Sequence, residues 1–185
     1  MIQDLLHNQT WMDVRTWRAE CVHELTPAQT KVLSVVSPLT SFLEREYALK
    51  LDVHVHDQFV DEMSEKEAQL LKVNQDERCF RRKVSLLSRG KVMFDAESIL
   101  PVDLLPIMMM AELEKGKRPL ANLLSDQGLS LSRSNLSIVQ VKGGFYTQRW
   151  ARSSVLGSNS GVKALVTEVF HDAMWLLPYR NSINR

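Results

Sequence analysis

The sequence predicts an α+β fold: a single antiparallel sheet of about six strands, with helices bunched between the strands and packed on one side. Three observations predict it. LDVHVHDQFV alternates Leu51, Val53 and Val55 against Asp52, His54 and His56, the period of a strand with one wet face. CFRRKVSLLSRGKVMFDAESILP is two β-rich runs that turn around Ser88 to Lys91, where Gly90 supplies a permissive backbone. Short capped helical segments stand in groups between strand runs rather than alternating with them one for one, which argues for hairpins and against a parallel sheet.

Each element has a local cause. Thr26, Pro27 and Gln29 fit the N-cap, first-turn proline and third position of a capping box, so a helix starts there. Pro38 breaks it, and a second helix follows over Leu39 to Tyr47. After the strand from Leu51, MSEKEAQLL is a short helical connection, and the hairpin then closes at Pro101. Helices are expected near Pro106, in VDLLPIMMMAELEKG, and after Pro119, in KRPLANLLSDQG. Strands follow in SNLSIVQVKGG, ARSSVLGSN and VKALVTEVFHD, the last two joined through Ser158 to Gly161.

At 185 residues, 44% hydrophobic and 24% charged, the chain has the make-up of one globular domain, expected to span 1–185. Its 23 Lys and Arg balance 22 Asp and Glu, so no global field draws it to nucleic acid or an anionic membrane. Acidic Asp4 and the lack of an apolar run at the start argue against a signal peptide, and no stretch approaches the roughly 18 apolar residues of a membrane span. The expected location is cytoplasmic, in keeping with Cys21 and Cys79 as two separate thiols. Nothing predicts an assembly beyond a monomer or weak dimer.

Two charges stand out of pattern. In VKALVTEVF, Glu168 shares a strand face with Ala164, Val166 and Phe170; in FRRKVSL, Arg82 shares one with Phe80, Val84 and Leu86. An unpaired buried charge costs several kcal/mol. Arg82 and Glu168 are therefore either an ion pair with each other or parts of a site, and the pattern leaves both open. Ala96 and Ser98 share the phase of Val92 and Phe94, whereas Glu97 takes the opposite one with Met93 and Asp95.

Other candidates carry less. Arg78, Arg81, Arg82 and Lys83 cluster, but no nucleic-acid motif frames them. His54, His56 and Asp57 lack a further ligand at a recognisable metal spacing. Met108, Met109 and Met110 are expected to fill core. Tyr146, Arg149, Trp150 and Arg152 form a polar-aromatic knot before a strand. Phosphate-cradling glycine motifs and Gly-x-Ser-x-Gly are absent, so nucleotide cofactors and nucleophile-elbow hydrolysis have no support.

Arg82 in a strand, then Ala96-Glu97-Ser98-Ile99-Leu100-Pro101, Pro119-Leu120 and Thr167-Glu168, taken in order, resemble the chorismate pyruvate-lyases from about Leu33 to Tyr179. The resemblance implies conversion of chorismate to 4-hydroxybenzoate and pyruvate, without metal or organic cofactor, between an antiparallel sheet and helical flaps. It makes Arg82 the match of an arginine that binds a substrate carboxylate and Glu168 that of the glutamate against the reacting ring. Leu120 and Leu39 match residues of the two flaps. Members in the ubiquinone pathway carry Gly-Arg, the arginine contacting the ligand, where this chain has Ala96-Glu97; the chain is closer to a branch that makes 4-hydroxybenzoate for phenolic lipids. Arg152 or Arg149 is the expected replacement cation.

The expected chemistry asks for cations on the carboxylates, a proton-transfer group and exclusion of water. Burial would raise the Glu168 pKa and a nearby Arg82 would lower it, leaving the carboxyl balanced for acid–base work near neutral pH. The competing reading is a non-catalytic domain of the same fold that binds an aromatic carboxylate, related to effector domains of transcription regulators. Those usually follow a winged-helix domain, for which the roughly 30 residues before Leu33 are too few.

Overall fold

The computed structural model describes residues 2–177; the ends of the expected 1–185 domain and of the resemblance up to Tyr179 lie outside the described residues. In chain order the elements are α1 (Ile2–Asn8), β1 (Met12–Asp13), α2 (Val14–Cys21), α3 (Pro27–Ser34), α4 (Leu39–Tyr47), β2 (Asp52–Glu62) and α5 (Glu65–Leu71). The hairpin β3 (Arg78–Ser88) and β4 (Lys91–Pro101) follows, then α6 (Ile107–Glu114), α7 (Leu120–Asp126), β5 (Leu131–Gln140), β6 (Trp150–Ser158), β7 (Lys163–Phe170) and α8 (Asp172–Trp175). The strands make one open antiparallel sheet in the order β1-β5-β6-β7-β4-β3-β2. The seventh strand is the two-residue β1, too short to show a period.

Local signals set the boundaries. Thr26 Oγ1 accepts from the Gln29 amide at 3.2 Å and Gln29 Oε1 accepts from the Thr26 amide at 2.9 Å, the reciprocal bonds of a capping box. Pro38, Pro106 and Pro119 stand immediately before α4, α6 and α7. Between β3 and β4 only Arg89 and Gly90 remain, with φ of 51° and 75°. Two consecutive left-handed residues match the sheet's twist in a tight hairpin, and Gly90 takes that conformation without strain.

The sheet separates two apolar layers. On one face α3 and α4 pack over Val84, Leu86, Phe94 and Ala96, while α6 and α7 pack over Phe80, Leu100, Leu156 and Val166. These are the helices expected there. In addition, α1 and α5 cover the other face, where Leu6, Ala68 and Leu71 meet Ile99, Val155 and Leu165, and Ile2 and Leu5 meet Val139 and Val169. The central strands β3, β4, β6 and β7 are therefore buried on both faces, and alternating exposure is seen in β2 and the first half of β5.

Candidate functional site

Strand register lays two rows of side chains on the face beneath α3, α4, α6 and α7. One row runs Arg152, Glu168, Ala96, Val84; the next runs Ser154, Val166, Ser98, Arg82. Between these rows and the helices is a cavity of about 40 Å³, to which Arg82, Ala96, Ser98 and Glu168 contribute from the sheet and Leu39 and Leu120 from the helices above it. Most of the remaining wall is apolar, including Val84, Leu86, Phe94 and Leu156. A dry cavity that admits benzene measures about 150 Å³, so an aromatic ring enters this one only if the roof moves. Thr40 Oγ1 donates to Asn122 Oδ1 at 3.1 Å and ties α4 to α7 across that roof.

Glu168 is 3% exposed, but it is not paired with Arg82. Its Oε1 accepts from Arg133 Nη2 at 2.9 Å and its Oε2 from Arg152 Nε at 2.5 Å. Burial raises its pKa, yet the two guanidiniums outweigh burial and hold the carboxyl below its ordinary range. The expectation of a group balanced near neutral pH is thus corrected: here Glu168 is a carboxylate, because two cations rather than one distant arginine face it.

Arg82 sits on β3, with β4 between it and the β7 strand of Glu168, roughly 10 Å across the sheet. The two form no ion pair, because the Arg82 guanidinium turns to backbone carbonyls instead. Its Nη2 donates to the carbonyls of Arg118 at 3.0 Å and Gly116 at 3.5 Å, in the loop before α7. No carboxylate is paired with it among the described residues, its Nε has no acceptor there, and burial alone lowers its pKa to about 10. It remains a cation at neutral pH.

Of the two candidate replacement cations, Arg152 reaches Glu168, though it does not line the cavity, and Arg149 does neither. Arg152 is fully buried behind Glu168, and its Nη1 donates to the carbonyls of Val32 at 3.1 Å and Val35 at 3.0 Å, fixing the C-terminal end of α3. Arg149 is three residues earlier, so the strand period turns it to the opposite face. There it donates to His171 at 3.0 Å and lies over the rings of Phe145 and Tyr146. Arg133, by contrast, lines the cavity with a side chain only 3% exposed, and sequence reading missed it. The strand was expected to begin at Ser134. It begins at Leu131, and an irregularity between Ser134 and Ser137, with Asn135 at φ 52°, reverses the inward phase midway along it.

The opposite face has its own charges. Arg81 forks onto Glu67 at 3.0 and 3.1 Å and reaches Glu97 at 3.2 Å, all three nearly inaccessible. Position 97 therefore faces away from the cavity, as its strand phase predicts. Arg81 and Arg82 lie buried on opposite faces, so RCFRRK forms no continuous basic patch. Asp95 accepts from Ser85, Tyr146 and His171, and His56 bonds Ser85. Among the described residues no group of three His, Cys, Asp or Glu is placed to hold a metal, and no helix is long and apolar enough to cross a membrane. Met109 is core, whereas Met108 is exposed.

The fold is shared with bacterial regulators. PhnF from Mycobacterium smegmatis superposes with a TM-score of 0.58 at 9% identity, covering 94% of this chain and 93% of that one. The possible transcriptional regulator YydK from Bacillus subtilis gives 0.54 at 12% identity, with 90% and 87% covered. The ligand-binding domain of a putative GntR-family regulator from Bordetella bronchiseptica gives 0.54 at 15%, with 73% and 91% covered. At such identities the likeness is one of fold. No curated protein matches the sequence. The family model described as chorismate lyase matches residues 5–176, a span that holds the whole sheet and every residue of the cavity, and the chain belongs to the chorismate lyase family.

Proposed function

We propose that the protein is a chorismate pyruvate-lyase that releases 4-hydroxybenzoate and pyruvate. The observation that carries this reading is the juxtaposition, in one apolar-walled cavity, of Arg82 without an acidic partner and of an ionised Glu168. In the reaction the ring carbon bearing the hydroxyl loses its proton and the neighbouring carbon–oxygen bond breaks. The ring becomes aromatic, and the enolpyruvate leaves and takes up a proton to become pyruvate. Arg82 binds the ring carboxylate, Glu168 accepts the ring proton, and Leu39 and Leu120 close over the ring and exclude water. Ala96 and Ser98 form the floor. Small residues there leave room for a ring lying against the sheet.

The test is incubation of the purified protein with chorismate and separation of the products. Equal amounts of pyruvate and 4-hydroxybenzoate are expected; intact chorismate would end the lyase reading. It would leave the second reading, a binding domain for an aromatic carboxylate, which the regulator-like fold favours. Ala96-Glu97-Ser98 resembles the divergent Ala-Glu-Ser branch of the family. Since Glu97 points away from the cavity, Glu97→Gln is expected to change affinity for 4-hydroxybenzoate by less than about twofold, ~0.4 kcal/mol by calorimetric titration. A tenfold change at unaltered stability would put position 97 back in the site.

A further inference from the structure

The lyase reading leaves unassigned the cation that meets the substrate's second carboxylate. Three guanidiniums, of Arg82, Arg133 and Arg152, surround the cavity and its one carboxylate, so the site has two positive charges in excess. The three are not equivalent. Arg152 does not line the cavity; two backbone carbonyls and Glu168 hold it, although its Nη2 has no acceptor among the described residues. Arg82 and Arg133 both line it, from strands β3 and β5, with β4, β7 and β6 between them. Arg133 donates through Nη2 to Glu168 and through Nη1 to Ser154 Oγ at 2.6 Å, while its Nε has no acceptor among the described residues. Burial lowers its pKa to about 10 against the pull of Glu168, so it stays charged and under-satisfied.

We propose that Arg133 is the second carboxylate anchor: an incoming dicarboxylate takes over its guanidinium from Glu168, which remains held by Arg152. The assignment rests on the lyase reading of the cavity, and it places the side-chain carboxylate at the β5 end and the ring carboxylate at the β3 end. It also supplies a second cation in a chain that has Ala96-Glu97 where relatives carry Gly-Arg, Glu97 being engaged with Arg81 on the other face. The exchange couples binding to chemistry. Glu168 loses one of its two cations and gains an anion nearby, and both changes make it a stronger base when substrate is present.

The test compares two ligands by calorimetric titration. One is 4-hydroxybenzoate, with a single carboxylate; the other is 4-(1-carboxyethoxy)benzoate, an unreactive ring ether with a second carboxylate on the side chain. Arg133→Met is expected to lose about 10- to 150-fold in affinity for the dicarboxylate and less than about threefold for 4-hydroxybenzoate. Arg133→Lys, which keeps the charge without the fork, falls between and serves if the methionine variant does not fold. Equal losses for both ligands, or none for either, overturn the assignment. If wild-type protein converts chorismate while Arg133→Met keeps its KM, Arg133 is wrong and the lyase reading stands. If wild-type protein neither converts chorismate nor binds 4-hydroxybenzoate, the lyase reading fails and the anchor fails with it.

Discussion

Replacing Arg81 by methionine is expected to destabilise the protein by about 3–5 kcal/mol, while the same replacement at the next residue, Arg82, changes stability by less than about 1.5 kcal/mol. Arg81 forks onto Glu67 and also meets Glu97, and each of these carboxylates is at most 2% exposed. Without the guanidinium two acids stay buried together with no cation between them. Glu67 also closes the capping box of α5, so its displacement frays the helix that covers this face. Arg82 donates only to two loop carbonyls, and its removal sheds the cost of a desolvated charge. At roughly 2–4 °C per kcal/mol for a chain of this size, Arg81→Met should melt some 6–20 °C below wild type and Arg82→Met within a few degrees of it. Thermal melts followed by circular dichroism decide. An Arg82→Met variant as unstable as Arg81→Met would mean that Arg82 is a structural residue rather than a ligand cation.

The two arginines also mark how far the sequence could be read. Counting by twos put Arg82, Glu168, Ala96 and Ser98 on one face and Arg81 and Glu97 on the other, and the ladders joining β3, β4 and β7 keep an unbroken register through all six. Irregularities in the hairpin and at its edge fall elsewhere, between Leu86 and Leu87 and between Val55 and Asp57. Where the ladder is regular, period two is enough. On β5 it is not. The irregularity after Ser134 makes Arg133 and Ile138 face the same layer although they are five positions apart, so no fixed phase could have found Arg133, one of the two arginines that hold Glu168. A left-handed Asn135 is a recognisable companion of such a bulge only once the backbone is known.

Pairing was less legible than placement. The sequence offered one inward arginine for one inward glutamate, but partners depend on strand order and on where each guanidinium turns. Arg152 stands on the strand next to Glu168; Arg133 and Arg82 each stand one strand further off, on opposite sides, and Arg133 reaches the carboxylate while Arg82 turns to the loop before α7. Helices expected on one side gave the charges of the opposite face no predicted cover. Ile2–Asn8 and Glu65–Leu71 instead cover that face, and Arg81, Glu67 and Glu97 satisfy one another beneath them.

Glu168→Gln is expected to lower chorismate turnover by about 10²- to 10⁴-fold, the usual worth of a positioned proton-transfer group, while weakening 4-hydroxybenzoate far less. The side chain keeps its length and can still accept from one arginine, but its amide then directs N–H donors at the other guanidinium, so some loss of stability accompanies the change. Turnover must therefore be measured on protein shown to be folded by its melt. The pH profile separates chemistry from packing. A base has to be deprotonated to work, and Arg133 and Arg152 hold Glu168 below the ordinary carboxylate range, so kcat/KM of the wild type stays level from neutrality down through that range and falls only beneath it. The limb in kcat should sit at higher pH, since bound substrate draws Arg133 away and places an anion close by. In Glu168→Gln the acid limb due to this group disappears from the residual activity. Turnover within tenfold of wild type, with the acid limb unchanged, would show that the ring proton goes to another acceptor and that Glu168 only orders the arginines around it.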